Sequence, residues 1–210
     1  MATSNAWREP ISYIAFIGTG LIAQAAMFSS TFELLYGGYT RLVHQKTYDA
    51  ILATPASVTD LTVGETLWGA FRSVWYGVMI ALVVAAFGLI KSPWALALPI
   101  PLFLAGVFFS AVALCFVATA TGYDYFNFYL SLGLFPMFLF GGIFFPLSNL
   151  PDWMQTVAWW LPLTHLVTVC RALALGNISW GLLPHILWFA VASVPVLILA
   201  DHLMRRRLVT

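Results

Sequence analysis

An all-α integral membrane protein is the fold class this chain predicts, and three observations carry it. Of its 210 residues, 61% are hydrophobic and only 8% charged, too little polar surface for a soluble domain of this size. The charges gather at the edges of long apolar runs: Pro10 to Phe32 lies between Glu9 and Glu33, Ser73 to Ile90 between Arg72 and Lys91, and Ala172 to Ala200 between Arg171 and Asp201, while Ser92 to Tyr123 ends at Asp124 and Tyr125 to Pro151 at Asp152. Each run reaches or approaches the roughly 20 residues a helix needs to cross a hydrocarbon core about 30 Å thick. The chain 1–210 therefore reads as one transmembrane domain with about five spans, near 11–35, 67–89, 94–120, 126–145 and 182–202. A cytoplasmic amphipathic segment occupies 41–55, and an external re-entrant or interfacial helical segment occupies 150–175.

The first run is too long for a signal-peptide core and reads as a retained helix. The polar stretch Tyr36 to Glu65 follows, and within it Arg41, Gln45 and Asp49 recur at i, i+4, i+8 while Leu42, Tyr48, Ile51 and Leu52 fall mostly on other sides, a short amphipathic helix stopped by Pro55. Ser57 to Asp60 reads as the cap opening the next helix, which carries Glu65 and Arg72 near its start. The short connection around Lys91, Ser92 and Pro93 makes the second and third spans antiparallel neighbours. Pro99 and Pro101 are expected to bend or delay the third. Gly122, Tyr123 and Asp124 form a tight turn into the fourth span. Beyond Phe145, Pro146, Pro151 and Pro162 interrupt a stretch rich in Trp153, Trp159 and Trp160, so Asp152 to Trp160 reads as a surface helix and Thr164 to Leu175 as a second, dipping back into the membrane. The last span delivers Arg205, Arg206 and Arg207.

Lys and Arg give the orientation, since positively charged loops stay cytoplasmic. Arg41, Lys46, Arg72 and Arg205 to Arg207 fall on one side; Arg8, Lys91 and Arg171 fall on the other. That predicts a cytoplasmic C-terminus. The net charge of +1 gives no reason to expect nucleic acid, and Cys115 and Cys170 read as small apolar fillers. No GxxxxGK[ST] loop is present to cradle a nucleotide, and no HExxH or other clustered catalytic set supports an intramembrane enzyme. An intramembrane glycolipid-processing enzyme and a passive channel or scaffold remain the readings from other classes.

Three segments carry a resemblance over nearly the whole chain: Arg41-Leu-Val-His-Gln-Lys-Thr-Tyr-Asp-Ala-Ile-Leu-Ala-Thr-Pro55; Phe138-Leu-Phe-Gly-Gly-Ile-Phe-Phe-Pro-Leu147; and Leu150-Pro-Asp-Trp153 continuing to Leu161-Pro-Leu-Thr-His165 and Arg171-Ala-Leu. They resemble the ABC-2 type transporter permeases, in particular the nodulation protein J branch. The resemblance implies an inner-membrane export subunit that binds no cofactor itself and works as a homodimer with a separate ABC ATPase subunit holding ATP and Mg. The cargo it implies is a lipo-oligosaccharide, another glycoconjugate or a similar amphiphile; drug or lipid efflux is the alternative within the superfamily. It also implies that the first of the family's usual six spans is missing, with Met1 where the first external loop would lie.

Periodicity alone reads Arg41 to Leu52 as an ordinary interfacial helix with a solvated charged face. The resemblance instead makes Arg41, Gln45, Lys46, Thr47, Tyr48, Asp49, Leu52 and Pro55 an ATPase-coupling segment, with Arg41, Gln45, Lys46 and Asp49 contacting the ATPase and Leu42, Ile51 and Leu52 facing the bundle. Phe138, Gly141, Gly142 and Arg171 are the candidates for a substrate path or exit. Two readings of Arg171 stand side by side, recognition of a headgroup at the outer exit and a snorkelling interfacial anchor. Phe126, Phe128, Tyr129, Phe135 and Phe140 serve either as a path lining or, more commonly, as lipid-facing packing. Gly133 and the pair Gly37 and Gly38 read as points of close helix approach. His165 and His185 read as isolated, hydrogen-bonded structural residues, and His44 as solvated.

Overall fold

A computed structural model describes residues 13–149 and 151–209. Arg8, Glu9, the expected start of the first span at Ile11, and Leu150 lie outside the described residues. In chain order the helices are α1 (Tyr13–His44), α2 (Thr47–Leu52), α3 (Val58–Ala86), α4 (Pro93–Thr119), α5 (Tyr125–Phe140), α6 (Asp152–Trp160), α7 (Pro162–Leu175) and α8 (Trp180–Val209). Among the described residues α1, α3, α4 and α8 are long and apolar enough to cross a membrane, and a fifth crossing exists if the bent pair α6–α7 counts as one span. The all-α, multi-pass expectation holds.

α1 does not stop near Leu35. It continues to His44 in the wider π winding, over Glu33–Gly38 and Thr40–His44. A charge ends an apolar run without ending a helix, and here both Glu33 and Arg41 find partners on α3. α3 opens at the expected cap, ahead of the span proper: the Ser57 hydroxyl accepts from the Asp60 N–H (3.2 Å) while the Asp60 carboxylate accepts from the Ser57 N–H (2.9 Å), a reciprocal capping box. In α4 the prolines act as a delay. A 3₁₀ turn over Pro93–Ala97 leads into the α-helix at Pro99, where a missing N–H costs no hydrogen bond.

α4 is the centre of the bundle, packed by α1, α3, α7 and α8. Its contact with α3 is built from small residues at a four-residue repeat. Gly69, Ser73 and Gly77 of α3 face Ser110, Gly106 and Leu102 of α4, and a Cβ on Gly106 would lie 2.7 Å from the Ala70 Cα. Ser73 also donates to the Leu102 carbonyl at 2.9 Å. Lipid gives helices no hydrophobic reason to associate, so close van der Waals approach and hydrogen bonds of this kind hold them together.

The span expected over 126–145 is corrected. α5 ends at Phe140, and at 1.5 Å per residue it covers only about 24 Å. Gly141 is too confined for a side chain, since a Cβ would lie 2.6 Å from the Met137 carbonyl oxygen, and Gly142 turns the chain at φ +79°. Only glycine adopts that conformation without strain. The chain then folds back so that Ile143 packs against Gly20 of α1. α6 and α7 meet at 88°, close to the expected broken pair, with Pro162 rather than Thr164 opening α7 and Gly176 (φ +85°) closing it. α8 runs past the expected end at His202 to Val209 and holds Arg205 to Arg207 in its final turns.

The division of the charged residues into two ends is visible in the packing. Arg205 bonds to Asp201 (2.8 Å) and to Thr59 at the start of α3, and Arg207 donates to the Ala120 carbonyl (3.3 Å). At the other end of α3 the Lys91 N–H bonds to the Ala174 carbonyl (3.0 Å), beside the end of α7.

Candidate functional site

Four charges from α1 and α3 close into one network. Arg41 grips Glu65 with two bonds, Nη2 to Oε2 at 2.6 Å and Nε to Oε1 at 3.0 Å, and reaches Glu33 with Nη1 at 3.1 Å. The other Glu33 oxygen takes Arg72 at 3.2 Å, and the Trp68 indole N–H donates to Glu33 at 3.1 Å. Gly37 leaves the room for this, because a Cβ there would lie 2.9 Å from Glu33. The Glu33 and Glu65 side chains keep only 15% and 13% of their exposure, so desolvation strengthens each attraction and makes every unpaired member costly. Two carboxylates and two guanidiniums cancel.

The segment between α1 and α3 hangs from this network. Lys46 turns the chain in a left-handed conformation (φ 55°), and α2 follows. Tyr48, with no exposure, inserts beside Gly38, whose Cβ position would be 3.4 Å from the tyrosine hydroxyl. Burial raises the Tyr48 pKa above that of a free phenol, the Glu65 charge raises it further and Arg41 opposes. The phenol therefore stays protonated at the foot of the network. Leu42 is buried, and Ile51 and Leu52 pack half-buried on the core, as the sequence predicts. Gln45, Lys46, Asp49 and Pro55 are exposed, Thr47 is half-buried, and Lys46 and Asp49 form a 3.7 Å ion pair.

Arg41 departs from its expected place. The break at Lys46 resets the helical phase, so the i, i+4, i+8 pattern of Arg41, Gln45 and Asp49 never forms one face; Arg41 belongs to α1 and points into the network. His44 is exposed yet stacks on Tyr123 at 5.6 Å, which corrects its reading as merely solvated. A run of stacked rings leads away from it: Tyr123 on Tyr36 (6.0 Å), Tyr36 on Phe32 (5.8 Å) and Phe32 on Phe28 (5.5 Å).

The structure gathers the four path candidates at a second junction, among α1, the end of α5 and α7. Arg171 is 7% exposed. It donates to the carbonyls of Gly142 (3.0 Å) and Phe16 (3.2 Å), and its guanidinium lies 3.6 Å over the Phe16 ring. Snorkelling is corrected: the Gly142 carbonyl, freed where α5 stops, and the Phe16 carbonyl of α1 hold the cation inside the protein. Phe138 sits edge-on to Phe28 (5.8 Å) and Phe144 (5.0 Å), while Gly141 packs on Leu163. Phe126 and Tyr129 are buried, Phe128 and Phe135 exposed and Phe140 half-buried. Gly133 lies against Tyr129 of its own helix.

His165 and His185 are also not isolated. Their Nδ1 atoms lie 2.6 Å apart, joining α7 to α8, and His165 stacks on Trp188 (5.0 Å) and meets Trp159 edge-on (5.4 Å). Among the described residues no group of three or more His, Cys, Asp and Glu side chains is placed to hold a metal. Sequence reasoning missed Glu33 as a network member, and it named Tyr48 in the coupling segment without showing that the side chain is buried. The available signal was Glu33, Gly37 and Arg41 at a four-residue repeat inside an otherwise apolar helix.

Residues 3–175 match the ABC-2 type transporter family. The chain is 35% identical to nodulation protein J of Sinorhizobium fredii over 203 residues, covering 96% of this chain and 77% of that protein. It is 37% identical to nodulation protein J of Rhizobium meliloti over 205 residues (95% and 76%) and 36% identical to that of Bradyrhizobium diazoefficiens over 200 residues (95% and 76%). No solved structure matches the chain. The four-helix apolar bundle, its glycine-terminated broken segment and these similarities agree, and the chain belongs to the ABC-2 type transporter family as a multi-pass membrane permease.

Proposed function

We propose that this chain is the membrane subunit of an ABC exporter for a lipo-oligosaccharide or similar amphiphile, driven by ATP that a separate subunit hydrolyses. One observation carries the reading: a short helix, α2, and the turn before it expose Gln45, Lys46 and Asp49 between two spanning helices that one ion network ties together, and the buried Tyr48 of α2 packs beside Gly38 of α1. A push on α2 from a soluble ATPase moves Tyr48 against Gly38 of α1, and the Arg41–Glu65 pair passes the force from α1 to α3. In this reading α2 and the C-terminal arginines face the cytoplasm across the bacterial inner membrane. Two copies of the chain work with two ATPase copies, ATP and Mg stay on the ATPase, and the pathway runs along the dimer interface.

Co-purification with a candidate ABC ATPase subunit, followed by ATPase assay with lipid-linked sugars, tests it. Lys46→Glu combined with Asp49→Lys is expected to lower stimulated hydrolysis at least fivefold at unchanged membrane insertion. Wild-type stimulation in the double variant, or no ATPase in the complex, removes the reading.

A further inference from the structure

Between α1 and α3 runs a groove of about 530 Å³, within the range of roughly 300–1,000 Å³ of small-molecule sites. Its two ends differ. One is walled by Phe28, Phe32 and Ile80; the other by Glu33, Arg72 and Tyr76. At the polar end Arg72 spends Nη1 on Glu33 and Nη2 on the Tyr76 hydroxyl (3.3 Å), and its Nε–H is buried without a partner. The length and the change of character match an amphiphile lying along the groove, with its chain on the phenylalanines and its head at Arg72. Charge decides which head. Glu33 and Glu65 are matched by Arg41 and Arg72, so the groove offers no spare cation to a phosphate or carboxylate. It does offer donors and acceptors, and two tyrosine faces, to hydroxyl groups.

We propose that this groove is a loading site for a single-chain amphiphile with an uncharged, hydroxyl-rich head. The site rests on the export reading for its purpose, and on the proposed orientation for its leaflet: the charged network lies toward the cytoplasm, so the groove takes its ligand from the inner leaflet. Tyr36 lines the groove, held by stacking on Phe32 and Tyr123, and Phe28 touches both Phe135 and Phe138, which makes the apolar end continuous with α5.

The test uses the full chain in nanodiscs and an alkyl glucoside carrying a diazirine in its chain. Photolabelling is expected at Phe28, Phe32 and Ile80, competed by unlabelled dodecyl maltoside and not by dodecyl phosphate at equal concentration. Ile80→Trp and Ala25→Phe, which fill the groove from opposite walls, are each expected to cut labelling at least fivefold while the protein remains monodisperse. Equal labelling of the outward face of α8 at Leu187 and Val191 overturns the site, as does labelling unchanged in both filled variants. Stronger competition by dodecyl phosphate overturns the head assignment, and an Ile80→Cys crosslink to a second copy in high yield makes the groove a protein interface instead. Labelling as expected without ATPase in the complex leaves the groove standing and removes the export reading; the reverse result removes only the groove.

Discussion

Arg171 shows how a single charge is tolerated inside a membrane protein. Among the described residues its partners are two backbone carbonyls and a ring face, with no carboxylate, so its stability comes from hydrogen bonding to charge rather than from ion pairing. Arg171→Ala is expected to cost about 2–4 kcal/mol, from the emptied volume and the Gly142 carbonyl left without this donor, read as a drop in thermal unfolding midpoint in detergent. Arg41 is the contrasting case. Arg41→Ala strands Glu65, while Glu33 keeps Arg72 and Trp68, and is expected to cost about 2–4 kcal/mol, whereas Arg41→Met with Glu65→Leu is expected to stay within about 1 kcal/mol of wild type, since replacing both partners leaves no orphaned charge. Equal losses in the single and double variants would show that the pair acts through shape alone. The sequence made Arg41 legible as a charge of consequence and misplaced it, because a periodicity count assumes one unbroken helix and cannot see the left-handed turn at Lys46.

At the scale of elements, the glycines separate packing from backbone freedom. Gly106→Ala presses a methyl onto the α3 backbone and is expected to destabilise the α3–α4 pair by about 1–3 kcal/mol. Gly64 of α3 faces open space, with nothing within 4 Å of its Cβ position; Gly64→Ala is expected to stabilise by about 0.5–1 kcal/mol. Side-by-side thermal melts check both signs. The α2 segment behaves as a hinged attachment. Tyr48→Ala is expected to expose segment 45–55 to limited proteolysis at least tenfold faster while the bundle unfolds at nearly the wild-type temperature, because few other contacts tie α2 to α3. Proline made the 88° break before α7 readable in advance, while the end of α5 at Phe140 was not, because it depends on the turn at Gly142. The long run of α1 was not, since its continuation through Glu33 depends on partners supplied by another helix.

For the whole molecule, the outward surfaces are apolar and the charges are internal or terminal. Phe71, Trp75 and Leu82 of α3 and Leu187, Val191 and Ile198 of α8 are about half exposed or more, a distribution that a bilayer satisfies and water does not. The proposed orientation makes a direct prediction: in sealed inner-membrane vesicles of known sidedness, a cysteine at Gln45 is labelled by an impermeant maleimide from the cytoplasmic face, and one at Ser179 only from the other. Labelling of both from one face would invert or dissolve the assigned topology.

Composition and the spacing of charges determined the class of this protein, its all-helical multi-pass character and the division of its arginines and lysines between two ends, because the free energy of placing a residue in hydrocarbon or at its edge is set by that residue and its near neighbours. Prolines and glycines fixed the broken segment for the same local reason. Which charges meet was decided only in three dimensions: Glu33 and Arg41 of one helix with Glu65 and Arg72 of another, His165 with His185, and Arg171 with the carbonyls of Gly142 and Phe16. Those pairings follow from helix phase and crossing, which accumulate over many residues and turn on one left-handed residue, Lys46, whose effect no local pattern displays.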